Sequence, residues 1–211
     1  MPATMNTPLS QAYDGSGVDG TAYLDVVDTA HSAPAWFDSI VSAYSSYGLA
    51  LFAVLMLAGW WQARRQSAPQ AIRAMAVPVL TVAAFGVSTL LKQAVQETRP
   101  CRSLHVVTLE ACPAPGDWSF PSNHATLAAA TAVALWFVSV RLGVIASVGA
   151  LAMAGSRVWV GAHYPHDILA GLAVGALVTL SAALLLDRYA SALAGVVDRG
   201  RLRVLVTAQT D

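Results

Sequence analysis

IRAMAVPVLTVAAFGVSTLLK, residues 72–92, decides how this chain folds. Between Arg73 and Lys92 it carries no charge, and a bilayer crossing takes about 20 mostly apolar residues. Four further stretches read the same way, near 44–62, 124–140, 142–160 and 166–186. Mean hydropathy is +0.56 and only 11% of residues are charged. Five apolar runs leave too little polar surface for a water-soluble bundle. The expected fold is therefore all-α, a polytopic membrane helix bundle of about five transmembrane helices.

Outward from these runs, the charges sort by side. Arg64, Arg65, Arg73, Arg141, Arg188, Arg199, Arg201 and Arg203 fall at one end, eight of the twelve Lys and Arg. Lys92, Arg99, Arg102 and Arg157 fall at the other, with nine of the twelve acids. The positive-inside rule puts the arginine-rich end in the cytoplasm. The expectation is a multi-pass protein of the cell (plasma or inner) membrane, N-terminus outside and C-terminus inside. A net charge of zero indicates no nucleic-acid partner. No basic segment followed by an apolar run opens the chain, so no cleavable signal peptide is expected.

Residues 1–35 hold four aspartates and no Lys or Arg, and read as a flexible acidic tail. The apolar domain runs over 36–188, and 189–211 reads as a basic cytoplasmic tail. Trp36, Phe37, Ile40, Val41, Tyr44 and Tyr47 recur at helical spacing, as an interfacial anchor or the outer turn of the first span. Prolines at 100, 113, 115 and 121 make 93–121 an outer loop. Cys101 and Cys112 share this loop and are expected to bridge, which would restrict the segment carrying Arg99.

Three clusters carry the chemistry. In the first, Lys92 and Arg99 are seven residues apart and share a face if the helix continues. Lys offers phosphate a point charge and Arg a planar fork. In the second, Pro121-Ser122-Asn123-His124 starts a helix, whose free N–H groups suit an anion. In the third, Arg157 is followed by His163, and Asp167 lies one helical turn beyond. A carboxylate on one imidazole nitrogen raises the basicity of the other. His163 is then a candidate nucleophile toward phosphorus. His166 falls elsewhere on the helix and reads as structural. No metal site or nucleotide loop is apparent, and no cofactor is expected.

At these residues the chain resembles the type 2 phosphatidic acid phosphatase (PAP2) family, related to vanadium-dependent haloperoxidases. The signature reads Lys92-QAVQET-Arg99-Pro100, then Pro121-Ser122-Asn123-His124, then Ser156-Arg157-VWVGA-His163-YPH-Asp167. Asn123 stands where the family usually has Gly, so a side chain must fit near the phosphate. The resemblance implies catalytic roles for His163, His124 and Asp167, and phosphate binding by Lys92, Arg99, Ser122, Asn123 and Arg157. It implies a metal-independent lipid phosphatase working through phosphohistidine at an outward-facing site. Its partners would be the bilayer and a lipid with a phosphate or diphosphate headgroup, the first choice being polyprenyl diphosphate. Phosphatidylglycerophosphate, phosphatidic acid and transfer to a hydroxyl acceptor are the alternatives.

Overall fold

The computed structural model describes residues 12–198, and their regular structure is helical. The helices are α1 (Ser16–Ser32), α2 (Ala35–Tyr47), α3 (Leu49–Ala63), α4 (Ala68–Val95), α5 (Pro100–Ser103), α6 (Asn123–Trp136), α7 (Val140–Trp159) and α8 (Pro165–Asp198). Among the described residues there is no strand, only an isolated bridge between Tyr13 and Glu97.

The opening stretch becomes α4. Ser67 caps it by accepting from Gln70 N at 3.3 Å, and proline stands in its first turn. Pro78 lies within it, as membrane helices tolerate where neighbours surround the freed backbone. α6 forms the centre, packed on α4, α7 and α8. Phe52, Leu55, Val77, Leu135, Leu142 and Met153 build the main core. The outer faces of α4, α7 and α8 stay apolar, with Val79, Leu90, Leu151, Leu169 and Leu185 exposed. Such a continuous apolar surface belongs against hydrocarbon.

α6 and α8 approach very closely. A Cβ on Gly171 would lie 2.5 Å from the Ser122 carbonyl oxygen, and one on Gly175 2.4 Å from that of Thr126. Small residues at such a contact let two membrane helices pack backbone against backbone.

Two expectations change. Among the described residues, three helices are long and apolar enough to cross a membrane: Ala68–Val95, Val140–Trp159 and Pro165–Leu193. A fourth crossing arises if α2 and α3, bent by 55° at their junction, act as one span. The expected span at 124–140 is instead the 14-residue α6. It is about 21 Å long, short of the hydrocarbon thickness. Its alanines mark enclosure by neighbours rather than exposure to lipid.

The acidic tail is also revised. Residues 16–32 form α1, which buries Tyr23, Val27 and Ala30. Apolar residues at helical spacing were present there, masked by Gly, Ser and Asp around them. α8 continues the last span to Asp198, so residues 189–198 are helical rather than a tail. Residues 1–11 and 199–211, including Arg199, Arg201 and Arg203, lie outside the described residues.

Candidate active site

α4 ends at Val95, with Gln96 in the left-handed region, so Lys92 and Arg99 do not share one continued helical face. Arg99 stands in extended backbone before Pro100. Both side chains nonetheless turn inward and are buried. Lys92 Nζ donates to the carbonyls of Trp118 at 2.5 Å and Ser119 at 3.0 Å. Arg99 donates to the Ala162 carbonyl at 2.9 Å and, through the other side of its fork, to Asp117 Oδ1 at 2.8 Å.

His163 sits in the turn between α7 and α8. Gly161, at φ +80°, makes that turn possible, and its carbonyl accepts from the Tyr23 hydroxyl at 2.9 Å. His163 Nδ1 lies 3.2 Å from Asp167 Oδ2. Arg99 Nη1 lies 2.9 Å from His163 Nε2. A guanidinium only donates, so Nε2 is the accepting nitrogen and Nδ1 carries the hydrogen toward Asp167. Burial, then the charges of Arg99, Lys92 and Arg157, hold the ring's proton affinity well below the usual histidine range. The ring is therefore neutral, with its free lone pair on Nε2. Asp167 Oδ2 is further fixed by Ser119 Oγ at 2.5 Å and Tyr164 N–H at 2.9 Å.

The second cluster closes on the same point. Ser122 N–H donates to the Asp167 carbonyl at 3.1 Å, pinning the start of α6 to the first turn of α8. Ser122 caps α6 through Ala125 N–H at 3.5 Å, and half-buried His124 stands on the first turn. His124 lies in the field of Arg157, Arg99 and Lys92. Asn123 turns away: its Oδ1 accepts from Ser88 Oγ at 2.8 Å on α4. The Asn123 side chain is thus accommodated against α4 at the start of α6.

Arg157, at the end of α7, is buried and pairs with Glu110 at 3.0 Å while donating to Ser45 Oγ. Its Nε is buried without a hydrogen-bond partner. Ser156 stays on its own helix, bonding to the Met153 carbonyl. Cys101 and Cys112 are joined by a disulfide, which closes residues 101–112 into a loop that contains Glu110 and starts two residues after Arg99.

All three clusters thus meet, and further residues join that sequence reasoning did not single out. Ser119 links Lys92 to Asp167 through its carbonyl and hydroxyl. Asp117 and Glu110 occupy two of the three cations. Ser45 arrives from α2, sixty-five residues before Glu110. His166 is not a lone structural residue: it bonds Asp19 and Glu97 and lies 3.6 Å from Asp167 Oδ1. A buried glutamate within the signature, Glu97, was the available signal for it.

The model of the PAP2 superfamily matches residues 73–190. The undecaprenyl-diphosphatase BcrC of Bacillus subtilis is 32% identical over 141 residues, 67% of this chain and 70% of that one. The lipid A 1-phosphatase of Rhizobium johnstonii is 40% identical over 106 residues, 48% of this chain and 43% of that protein. A decaprenylphosphoryl-5-phosphoribose phosphatase of Mycobacterium tuberculosis is 36% identical over 95 residues, 45% of this chain and 51% of that protein. The crystal structure of a transmembrane PAP2-type phosphatidylglycerolphosphate phosphatase from Bacillus subtilis shares the fold. Its TM-score is 0.57 at 19% identity, over 80% of this chain and 86% of that one. The matched region contains each of the three clusters that the fold gathers around His163, and the chain belongs to the PAP2 superfamily.

Proposed function

We propose that this chain is a multi-pass membrane lipid phosphatase that hydrolyses polyprenyl diphosphate to polyprenyl phosphate through a phosphohistidine. The observation that carries the reading is the polarity of the His163 ring. Asp167 holds Nδ1 from behind, and the lone pair of Nε2 faces a guanidinium. A phosphoryl group arriving at Arg99 would present phosphorus to that lone pair.

In the first step the Nε2–phosphorus bond forms and the bond to the leaving oxygen breaks. Burial and the neighbouring cations depress the pKa of His124, on the first turn of α6, to about 4 in the free site; it takes up a proton from solvent as the anionic headgroup offsets those cations, and gives it to that oxygen. Lys92, Arg99, Arg157, the Ser122 hydroxyl and the N–H groups at the start of α6 hold the phosphoryl oxygens as charge develops. In the second step His124 takes a proton from water, the water oxygen bonds to phosphorus and the phosphorus–nitrogen bond breaks.

The lipid nature of the substrate draws support from a groove of about 400 Å³ between α2 and α7. It is lined by Ile40, Val41, Tyr44, Gly155, Ser156 and Trp159, the last three of which flank Arg157 in sequence. The diphosphate draws support from the similarity to an undecaprenyl-diphosphatase, and the polyprenyl tail also from that to a decaprenylphosphoryl-5-phosphoribose phosphatase. The arginines at the far ends of α4, α7 and α8 favour a site outside the cytoplasm, with the N-terminus outside and the C-terminus inside.

The test is phosphate release by purified protein in detergent with EDTA. Polyprenyl diphosphate, phosphatidylglycerophosphate and phosphatidic acid are compared, with acid-labile label on His163 followed by mass spectrometry. Fastest release from the diphosphate is expected. Preference for a glycerolipid keeps the mechanism and changes the substrate. Labelling of His163 without phosphate release identifies transfer to another acceptor.

A further inference from the structure

Asp167 has two carboxylate oxygens, and only Oδ2 serves His163. Oδ1 is fully buried and has no hydrogen-bond partner. The nearest cationic group to it is the Nε2 of His166, at 3.6 Å. His166 is fixed on both edges. Its Nδ1 lies 2.7 Å from Asp19 Oδ1, and its Nε2 lies 3.0 Å and 3.2 Å from the two oxygens of Glu97. Carboxylates accept and do not donate, so both ring nitrogens carry hydrogens and the ring is an imidazolium. The ring also stacks on Tyr164 at 5.3 Å and Phe120 at 6.1 Å, faces that favour a cation.

We propose that His166 is a positioning residue for hydrolysis: clamped between Asp19 and Glu97, it keeps Asp167 ionised and aligned on His163 from the side opposite the nucleophile. This rests on the reading of His163 as the nucleophile. The groups facing the pair are Asp19 from α1, Glu97 from the loop after α4, and Tyr164 on the turn before α8. Lys92 and Arg99 lie on the His163 side. The segment before α1 seals the network. Thr98 N–H donates to the Tyr13 carbonyl at 2.9 Å, and a Cβ on Gly15 would lie 2.2 Å from Glu97 Oε1.

A charge next to a buried carboxylate must alter the titration of the His163–Asp167 pair, whereas a packing residue need not. His166→Gln removes a cation and Glu97→Gln removes an anion, so the two act with opposite sign. The pH profile of kcat/KM is measured for wild type and both variants. Without substrate, 15N-histidine NMR follows the His163 ring in detergent. Both the acid limb and the ring titration are expected to move up by about half a pH unit or more in His166→Gln and down in Glu97→Gln, with KM little changed. Equal losses of kcat with no displacement of either titration would overturn the proposal. If His166→Gln fails to fold, absence of the downward displacement in Glu97→Gln overturns it alone. If wild type releases no phosphate, the hydrolytic reading fails, while the NMR titrations still decide the coupling.

The donor atoms of Glu97, His166 and Asp167 lie within 4.8 Å of one another, a spacing that also suits a divalent ion. Stoichiometric Zn²⁺ binding to wild type, lost in both variants, would overturn the imidazolium reading.

Discussion

Arg99 Nη1 lies 2.9 Å from His163 Nε2, so the guanidinium faces the atom proposed to attack phosphorus. On that reading its hydrogen bond passes from nitrogen to a phosphoryl oxygen when substrate enters. Lys at this position would keep the charge but lose the fork that spans Ala162, His163 and Asp117. Arg99→Lys is expected to lower kcat about 100-fold, as loss of one transition-state donor does, in steady-state phosphate release.

Asp117 holds the other arm of Arg99, and its side chain is 51% exposed. It competes with phosphate for the same guanidinium without much desolvation of its own. Asp117→Asn is expected to tighten competitive inhibition by inorganic phosphate two- to five-fold, the scale of a partly exposed ion pair. An inhibition constant unchanged or weakened would remove Asp117 as a competitor.

The neutral His163 ring sets a pH dependence of stability. Burial and the neighbouring cations depress its proton affinity in the folded chain, so unfolding takes up a proton below the ordinary histidine value of about 6.5. The stabilisation is complete above that value and declines as pH falls. Thermal unfolding in detergent from pH 7 to 5 should therefore drop more steeply for wild type than for His163→Asn.

Tyr23 reaches the catalytic turn from α1. Its ring is fully buried and stacks on Tyr164 at 5.4 Å, while its hydroxyl bonds the Gly161 carbonyl. Tyr23→Phe is expected to cost about 1 kcal/mol and Tyr23→Ala about 3–5 kcal/mol. The alanine variant should lose activity as well, because Gly161 positions His163 two residues on. Chemical denaturation and phosphate release check both.

Lys92, Arg99, Ser122, His124, Arg157, His163 and Asp167 were legible from residue type and spacing, because each sits next to a helix end that apolar periodicity reveals. Ser119, Ser45, Asp117 and Glu110 were not. They reach the site through the fold of the 97–121 loop and the bend between α2 and α3, which no local pattern encodes. α1 was missed for a different reason: its buried face is Gly20, Tyr23, Val27 and Ala30, too narrow to stand out in a polar composition. The stretch read at 124–140 runs past the end of α6, because alanine scores as apolar whether it faces lipid or protein and the apolar run does not mark the helix end at Trp136. The Glu97–His166–Asp19 network joins three distant segments, and only the buried glutamate hinted at it.

Gly171 and Gly175 bear on how such a protein can diversify. They leave no space between α6 and α8, so the relative placement of His124 and the His163–Asp167 pair tolerates no drift there. On the other flank α2 meets α7 and the 97–121 loop through side chains, Phe37 against Trp159 and Ser45 bonded to Glu110, so that contact has slack that the α6–α8 contact lacks.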